Sequence, residues 1–351
     1  MNIRVIICVL FVFSIWFSSS YAGEYLDVAP DYTAKMPDDF YYKKGYRVQW
    51  WYFTGHLFTV SGREFGYEIA FFVVNVQKKD YKSRFGVNDI YISHFAVSDV
   101  LKNKFYYHDK TDTGAYGYAG AEESRLRVWV GRDTLEGTVT NISLEASDMD
   151  KAIALQLRPK KPVVLNGEKG YSRKSETSPF ISSIYFSYTN IETEGILKIG
   201  EEEYCIRGKS WFDREISSRG LGDNQKGWDW FAIQLYDNRE IMLYIIRNKN
   251  GSIDMYSSGT FIYPDGRYRR LLKNDFTVKV LSHYTSEKTG ARYPAQWEIH
   301  IPSEKIFLKV TPLIKDQEVI AYSSTGNYYW EGACTVEGDE KGRAYVEMTG
   351  Y

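Results

Sequence analysis

The amino-acid sequence predicts an all-β protein built from two related units. Three observations carry this. Helix-length apolar periodicity is nearly missing, and short segments rich in Tyr, Phe, Trp, Val and Ile recur between turn signals such as Ser61-Gly62, Asn166-Gly167, Asp237-Asn238 and Asp265-Gly266. One aromatic run also occurs twice. Gln49-Trp50-Trp51-Tyr52-Phe53-Thr54-Gly55-His56-Leu57 is echoed by Gly227-Trp228-Asp229-Trp230-Phe231-Ala232-Ile233-Gln234-Leu235. Each copy leads through a turn bearing an Arg-Glu pair, Arg63-Glu64 or Arg239-Glu240, into another apolar strand. Self-similarity of this kind indicates duplication of a structural unit.

In chain order, residues 1–22 read as an export signal: Arg4, an apolar stretch over 5–17, then Ser20-Tyr21-Ala22 before a cleavage site. The apolar stretch is well short of the roughly twenty residues that span a bilayer. The expectation is an exported chain, periplasmic or secreted. Strands are expected over 47–59, 64–75, 89–97, 124–130, 143–145, 152–157, 182–189, 194–199 and 203–210. Further strands are expected over 229–236, 240–247, 257–262, 276–281, 296–301, 305–312, 328–336 and 343–350. Residues 159–179, rich in Pro, Gly, Lys and Ser, read as a loop. Many strands with short turns favour barrels or sandwiches, and the expected division is an N-terminal barrel over 23–190 and a C-terminal barrel over 191–351. Residues 69–76 and 241–246 are apolar on both faces, which fits two barrels packed together or a barrel holding an apolar ligand.

Composition narrows the function. Of 351 residues 17% are aromatic, including 30 Tyr and 9 Trp, a bias toward strands and amphipathic surfaces. Net charge is −1 and basic residues do not cluster, so no nucleic-acid partner is expected. His56, His94, His108, His283 and His300 lack metal-ligand spacing, and no dinucleotide, nucleophile-elbow or phosphate-loop fingerprint occurs. No metal or cofactor is expected. Cys205 and Cys334 remain after signal removal, and an oxidising compartment would permit one disulfide between them.

The chemistry concentrates in residues 208–230. Trp211-Phe212-Asp213-Arg214-Glu215 is followed by a polar loop and Trp228-Asp229-Trp230. Asp213, Arg214 and Glu215 are the candidate catalytic residues. An acid in water-poor surroundings has a raised pKa and can deliver a proton, while aromatic faces stabilise the resulting cation. On a regular strand Asp213 and Glu215 share one face and Arg214 takes the other. The same carboxylates could equally form an ion-pair network at a barrel rim. Candidate ligand-binding residues are Trp50, Trp51, Tyr52, His56, His94, Trp211, Trp228, Asp229, Trp230 and Tyr244, although the tryptophans and His94 also suit core packing. Glu68 is either solvent-facing or a buried acid.

The segments Tyr46 through Leu57, His94-Phe95-Ala96-Val97-Ser98-Asp99, Gly208 through Glu215, Gly227 through Phe231 and Tyr345 through Tyr351 resemble the AttH/CrtC family over nearly the whole chain. That resemblance implies two tandem lipocalin-like barrels and a long apolar ligand. It also implies either carotenoid-hydratase-like chemistry or service beside ABC transporter components. The family usually has Glu where this chain has Gln49, and Asp-His-x-Trp where it reads Asp213-Arg214-Glu215-Ile216. A permanently charged arginine cannot shuttle a proton. The resulting expectation is an exported protein that binds or transfers a lipid or other apolar molecule, with a cofactor-independent hydratase, isomerase or cyclase for isoprenoids or polyenes as the alternative.

Overall fold

The computed structural model describes residues 25–76 and 87–351, so the expected export signal lies outside the described residues. The first group of strands is β1 (Val48–Thr59), β2 (Glu64–Asn75), β3 (Asp89–Asp99), β4 (Lys104–Asp112), β5 (Ala119–Ala121), β6 (Leu126–Val130) and β7 (Asp133–Thr138). Next come β8 (Asn141–Asp148), β9 (Lys151–Pro159), β10 (Val164–Leu165), β11 (Tyr171–Arg173), β12 (Ser182–Ile199) and β13 (Glu202–Ser217). The second half holds β14 (Gln225–Leu235), β15 (Glu240–Asn248), β16 (Ser258–Ile262), β17 (Tyr268–Leu272) and β18 (Thr277–Thr285). It ends with β19 (Arg292–Ile301), β20 (Ile306–Pro312), β21 (Glu318–Ala321), β22 (Asn327–Gly338) and β23 (Gly342–Thr349). No α-helix occurs among the described residues.

These strands form two antiparallel sheets, the first curled into a nearly closed barrel and the second into a half-barrel. Their orders are β4-β3-β2-β1-β13-β12-β9-β8-β7-β6-β5 and β17-β16-β15-β14-β23-β22-β20-β19-β18. In both, the strand carrying the Trp run pairs with the last strand of its own sheet, β1 with β13 and β14 with β23. The sequence echo is thus a duplicated topology. Strands β4, β5, β7, β17 and β21 have no sequence-predicted counterpart. They are polar or very short, so the apolar alternation that marks a strand is weak in them.

The passage between sheets falls after Ser217, not at 190/191. Residues 182–189 and 194–199 read as two strands but form one, β12, whose register shifts between Tyr188 and Ile191. That bulge grips the second barrel: Gln234 Nε2 donates to the Thr189 carbonyl at 2.7 Å and Asn190 Nδ2 to Glu240 Oε1 at 2.8 Å. The expected 159–179 loop carries β10 and β11 and lies over the seam between the barrels.

Neither barrel interior is a ligand chamber of the expected kind. Phe40, from the segment before β1, enters the first barrel and packs against Phe186, Tyr188 and Phe212, with centroids 4.7–5.9 Å away. Phe231, Trp297 and Trp330 fill the second. A third apolar cluster, including Tyr52, Ala70, Trp211, Trp230, Met242, Tyr244 and Ala333, joins the two sheets. Burial of side chains this size contributes roughly 1.5–3 kcal/mol each. Gly66 permits the approach, since a Cβ there would lie 2.5 Å from the Ala333 Cβ. Polar latches close the seam. His56 bridges Glu64 Oε1 (3.0 Å) and the Ala344 carbonyl (2.9 Å), and Arg343 pairs with Glu64 at 2.6 Å. Cys205 is exposed, Cys334 is buried, and both are free thiols.

Candidate functional site

Between the sheets lies a cavity of about 190 Å³. Alternation along the strands decides what reaches it. On β1, Trp50 and Tyr52 face the cavity, while Trp51 and Phe53 face the first barrel's interior. On β14, Trp228 and Trp230 face it and Asp229 does not. On β13 the expected parity holds: Asp213 and Glu215 both line the cavity and Arg214 points the other way.

Arg214 is fully buried inside the first barrel. Its guanidinium stacks over the Trp51 ring at 3.8 Å and donates to the carbonyls of Asp39 (3.1 Å), Tyr41 (2.8 Å), Trp50 (3.2 Å) and Glu215 (3.1 Å). It also reaches Gln49 Oε1 at 2.7 Å. Burial works against its charge, with Asp39 partly offsetting this. Arginine and Gln49 therefore form a matched pair that ties the Asp38–Phe40 turn to the barrel. Arg214, expected among the catalytic residues, does not line the cavity, because its side chain leaves β13 on the face opposite both carboxylates.

Asp213 is buried and held by three donors: Tyr185 Oη at 2.6 Å, Ser187 Oγ at 2.5 Å and Trp211 Nε1 at 2.7 Å. Burial raises its pKa, the three hydrogen bonds pull it back, and the result is about 6. Trp230 Nε1 donates to the same Tyr185 hydroxyl at 3.0 Å. Glu215 accepts from Ser183 Oγ and pairs with Lys174 Nζ at 3.1 Å. Lys174, from the segment after β11, also sits over the Tyr185 and Tyr244 rings at 4.7 and 4.2 Å. Burial disfavours its charge, but Glu215, Tyr244 and Asp213 outweigh that and raise its pKa.

Three further acids reach the seam, two from the second sheet and one from the first. Glu347 on β23 and Glu331 on β22 are cross-strand partners and both line the cavity. Glu68, on β2, lies behind them and is a fully buried acid. Burial, followed by the nearby Glu215 and Asp213 charges, raises Glu347 to about 8, with relief only from the Trp228 indole. Glu68 is pushed well above the carboxylate range by burial and then by Glu347; Glu331 by burial, then by Glu68 and Glu347, with the nearby Tyr52 hydroxyl pulling back although its geometry falls short of a regular hydrogen bond. Both Glu68 oxygens, Glu331 Oε2 and the Tyr52 and Tyr345 hydroxyls have no hydrogen-bond partner among the described residues.

Of the remaining expected site residues, Tyr244 and His94 line the cavity. His94 bonds Tyr329 Oη at 2.6 Å and Ser324 Oγ at 3.1 Å, and burial lowers its pKa to about 4, leaving a neutral ring. Trp211 stands behind the wall as a donor to Asp213, with its ring edge-on to Trp230 at 6.3 Å. His56 belongs to the latch, away from the cavity. Asp229 accepts from Tyr351 Oη (2.8 Å) and Arg247 Nε (3.1 Å), fastening the chain's last residue. Lys174, Tyr185, Glu331 and Glu347 escaped sequence reasoning. The usable signal was an acid inside an aromatic or apolar strand, as in Tyr329-Trp330-Glu331 and Val346-Glu347-Met348. Among the described residues no group of three or more His, Cys, Asp or Glu could hold a metal ion.

A family model described as AttH-like matches residues 27–351. A solved structure of an AttH candidate from Nitrosomonas europaea is 30% identical, with a TM-score of 0.85 over 93% of this chain and 99% of that one. Kievitone hydratase from Nectria haematococca shares the fold at 14% identity, with a TM-score of 0.72 over 90% and 93% of the two chains. The dehydratase asqC of Emericella nidulans is 23% identical over 245 residues, 66% of this chain and 67% of that protein.

Proposed function

This chain belongs to the AttH-like family, and on that premise we propose a cofactor-independent enzyme that adds water to, or removes it from, an apolar unsaturated molecule in the seam cavity. The observation that carries this reading is the pair Asp213 and Glu347. They enter one aromatic-lined cavity from opposite sheets, with pKa values of about 6 and about 8. At neutral pH the first is mostly a carboxylate and the second mostly an acid. Two titratable groups pushed apart in this way suit a base and an acid.

In the hydration direction the Glu347 carboxyl gives its proton to one alkene carbon. The other carbon becomes cationic beside the faces of Trp50, Trp228 and Trp230. Water adds through oxygen, and Asp213 takes the proton released. Return of that proton from Asp213 to Glu347 closes the cycle, and dehydration runs the same steps backwards. Lys174, paired with Glu215 and bracketed by Tyr185 and Tyr244, holds the Asp213 side of the cavity in place. The names of two relatives, a hydratase by fold and a dehydratase by sequence, support this reaction class. A carrier of apolar molecules would use the same aromatic wall, but has no need for buried acids held neutral. We also propose export, from the signal-like residues 1–22, and ABC transporter components as partners, from the family resemblance.

The test is incubation of the full chain with unsaturated isoprenoids and polyenes in ¹⁸O-labelled water. Label entering the product with wild type, and lost in both Glu347→Gln and Asp213→Asn, supports the reading. Ligand binding without any label incorporation would return the protein to the carrier class.

A further inference from the structure

The cavity lining has an apolar and a polar part, and the polar part extends past Glu347 to groups with no role in the proton transfers above. Trp50, Phe72, Leu221, Trp228 and Ile246 supply apolar lining. Toward β22 and β23 it meets Glu331, Glu347 and Tyr52, with Glu68 and Tyr345 immediately behind. The side chains of Glu68, Glu331, Tyr52 and Tyr345 are all more than nine-tenths buried. Leaving a buried polar atom unpaired is costly, and five such atoms converge here: both Glu68 oxygens, Glu331 Oε2 and the two tyrosine hydroxyls. Tyr52 comes close enough to feel the charges of Glu331, Glu347 and Glu68, yet makes no hydrogen bond of normal geometry to them. A wall so arranged offers both donors and acceptors to whatever enters.

Its electrostatics select the kind of ligand. Asp213, Glu215, Glu331 and Glu347 all line the cavity, and the two lining cations are already committed, Lys174 to Glu215 and Arg219 to Asp27 at 2.7 Å. An anionic head would meet acids on every side, and among the described residues no uncommitted cation lines the cavity to receive it. A neutral oxygen meets carboxylic acids and phenols that can give and accept hydrogen bonds.

We propose that the Glu331–Tyr52 wall docks a neutral oxygen function, a hydroxyl or carbonyl, at one end of an otherwise apolar ligand, and excludes carboxylate and phosphate heads. The proposal rests on the seam cavity being the substrate site and names the class of molecule it takes. The volume suits the end of such a molecule. A cavity near 150 Å³ holds benzene, so about 190 Å³ encloses a slightly larger reacting end.

Binding is read from quenching of the cavity tryptophans in the full chain at pH 7, using three probes of one ten-carbon skeleton. These are geraniol, geranate, and the hydrocarbon 2,6-dimethylocta-2,6-diene. The expected order has geraniol about tenfold tighter than the hydrocarbon, as one or two hydrogen bonds provide, and geranate at least tenfold weaker than geraniol. In Glu331→Met the advantage of geraniol over the hydrocarbon collapses while the hydrocarbon's own affinity holds, which also reports an intact fold. Tyr52→Phe repeats the measurement with a gentler change. Geranate binding as tightly as geraniol, or a geraniol advantage surviving in both variants, would overturn the assignment. Because no turnover enters this readout, a missing ¹⁸O signal would sink the enzymatic reading while leaving the binding order to stand or fall by itself.

Discussion

Asp213 and Glu347 occupy matching places in the two halves of the molecule. The Trp run aligns Trp50 with Trp228, and so Tyr52 with Trp230. Tyr52 pairs with Asp213 across β1 and β13, and Trp230 pairs with Glu347 across β14 and β23. One strand further on, the halves diverge: Asp213 faces Ser187, whereas Glu347 faces Glu331. A serine supplies a hydrogen bond to a carboxylate. Glu347 has no such serine, and the charges that raise it come from Glu215 and Asp213 across the cavity. Burial acts on both sites, but only the first has three donors to counter it, so one acid settles near 6 and the other near 8. Duplication built two acid positions, and divergence of their neighbours separated the chemistry of each.

The comparison breaks most directly at the acids themselves. If they act as base and acid, turnover against pH is bell-shaped, rising through about 6 and falling through about 8. Glu347→Gln should lower turnover by roughly 10²–10⁴ and remove the alkaline limb from what remains, while Asp213→Asn removes the acidic limb. Limbs that persist unchanged in these variants would assign the titration elsewhere.

A smaller effect separates the two faces of β13. Arg214→Met leaves several buried carbonyls and Gln49 unpaired, and should cost roughly 3 kcal/mol in denaturant unfolding. Both limbs of the pH profile should stay in place, since Arg214 faces away from the cavity. A shifted acidic limb with unchanged stability would put Arg214 back among the acids.

Stability itself should depend on the second acid. The folded pKa of Glu347 lies above its unfolded value of about 4.5, so the native state binds the proton more tightly. Its contribution is complete below about pH 4.5 and is lost as pH rises toward 8. Glu347→Gln should therefore flatten the decline over that window and leave the variant a few kcal/mol more stable near pH 8 than at wild type. An equal fall in unfolding free energy from pH 5 to pH 8 in wild type and variant, read from urea midpoints, would show that Glu347 is not buried as an acid. The finest probe is Glu331→Ser, which gives the second half the neighbour of the first. The alkaline limb should then move down by about one to two pH units toward the Asp213 value.

Much of the architecture was legible in the chain. Residues 47–59 and 64–75 nearly coincide with β1 and β2, because both are long, aromatic and bounded by a clear turn. The division at 190 was misplaced because Thr189 and Asn190 look like a strand end, and only their contacts with Gln234 and Glu240 reveal a bulge within one strand. Among site residues, the parity of Asp213 and Glu215 could be read from period two alone. The reach of Glu347 could not. A glutamate between Val346 and Met348 faces away from the strand's own barrel core, and its environment is set by residues from β2, β13 and β22.

The sequence by itself determined the β class, the duplication, the alternation that sends Trp50 and Tyr52 one way and Trp51 the other, and a membership that runs from residue 27 to the end. Those are local or repetitive properties, written in spacing. Only the tertiary structure decided that the cavity lies between the barrels, that Arg214 is a buried tie, and that Glu347 rather than Asp213 holds a proton at neutral pH. Such outcomes depend on desolvation and on how many donors converge from strands far apart in sequence, and spacing along the chain does not encode either.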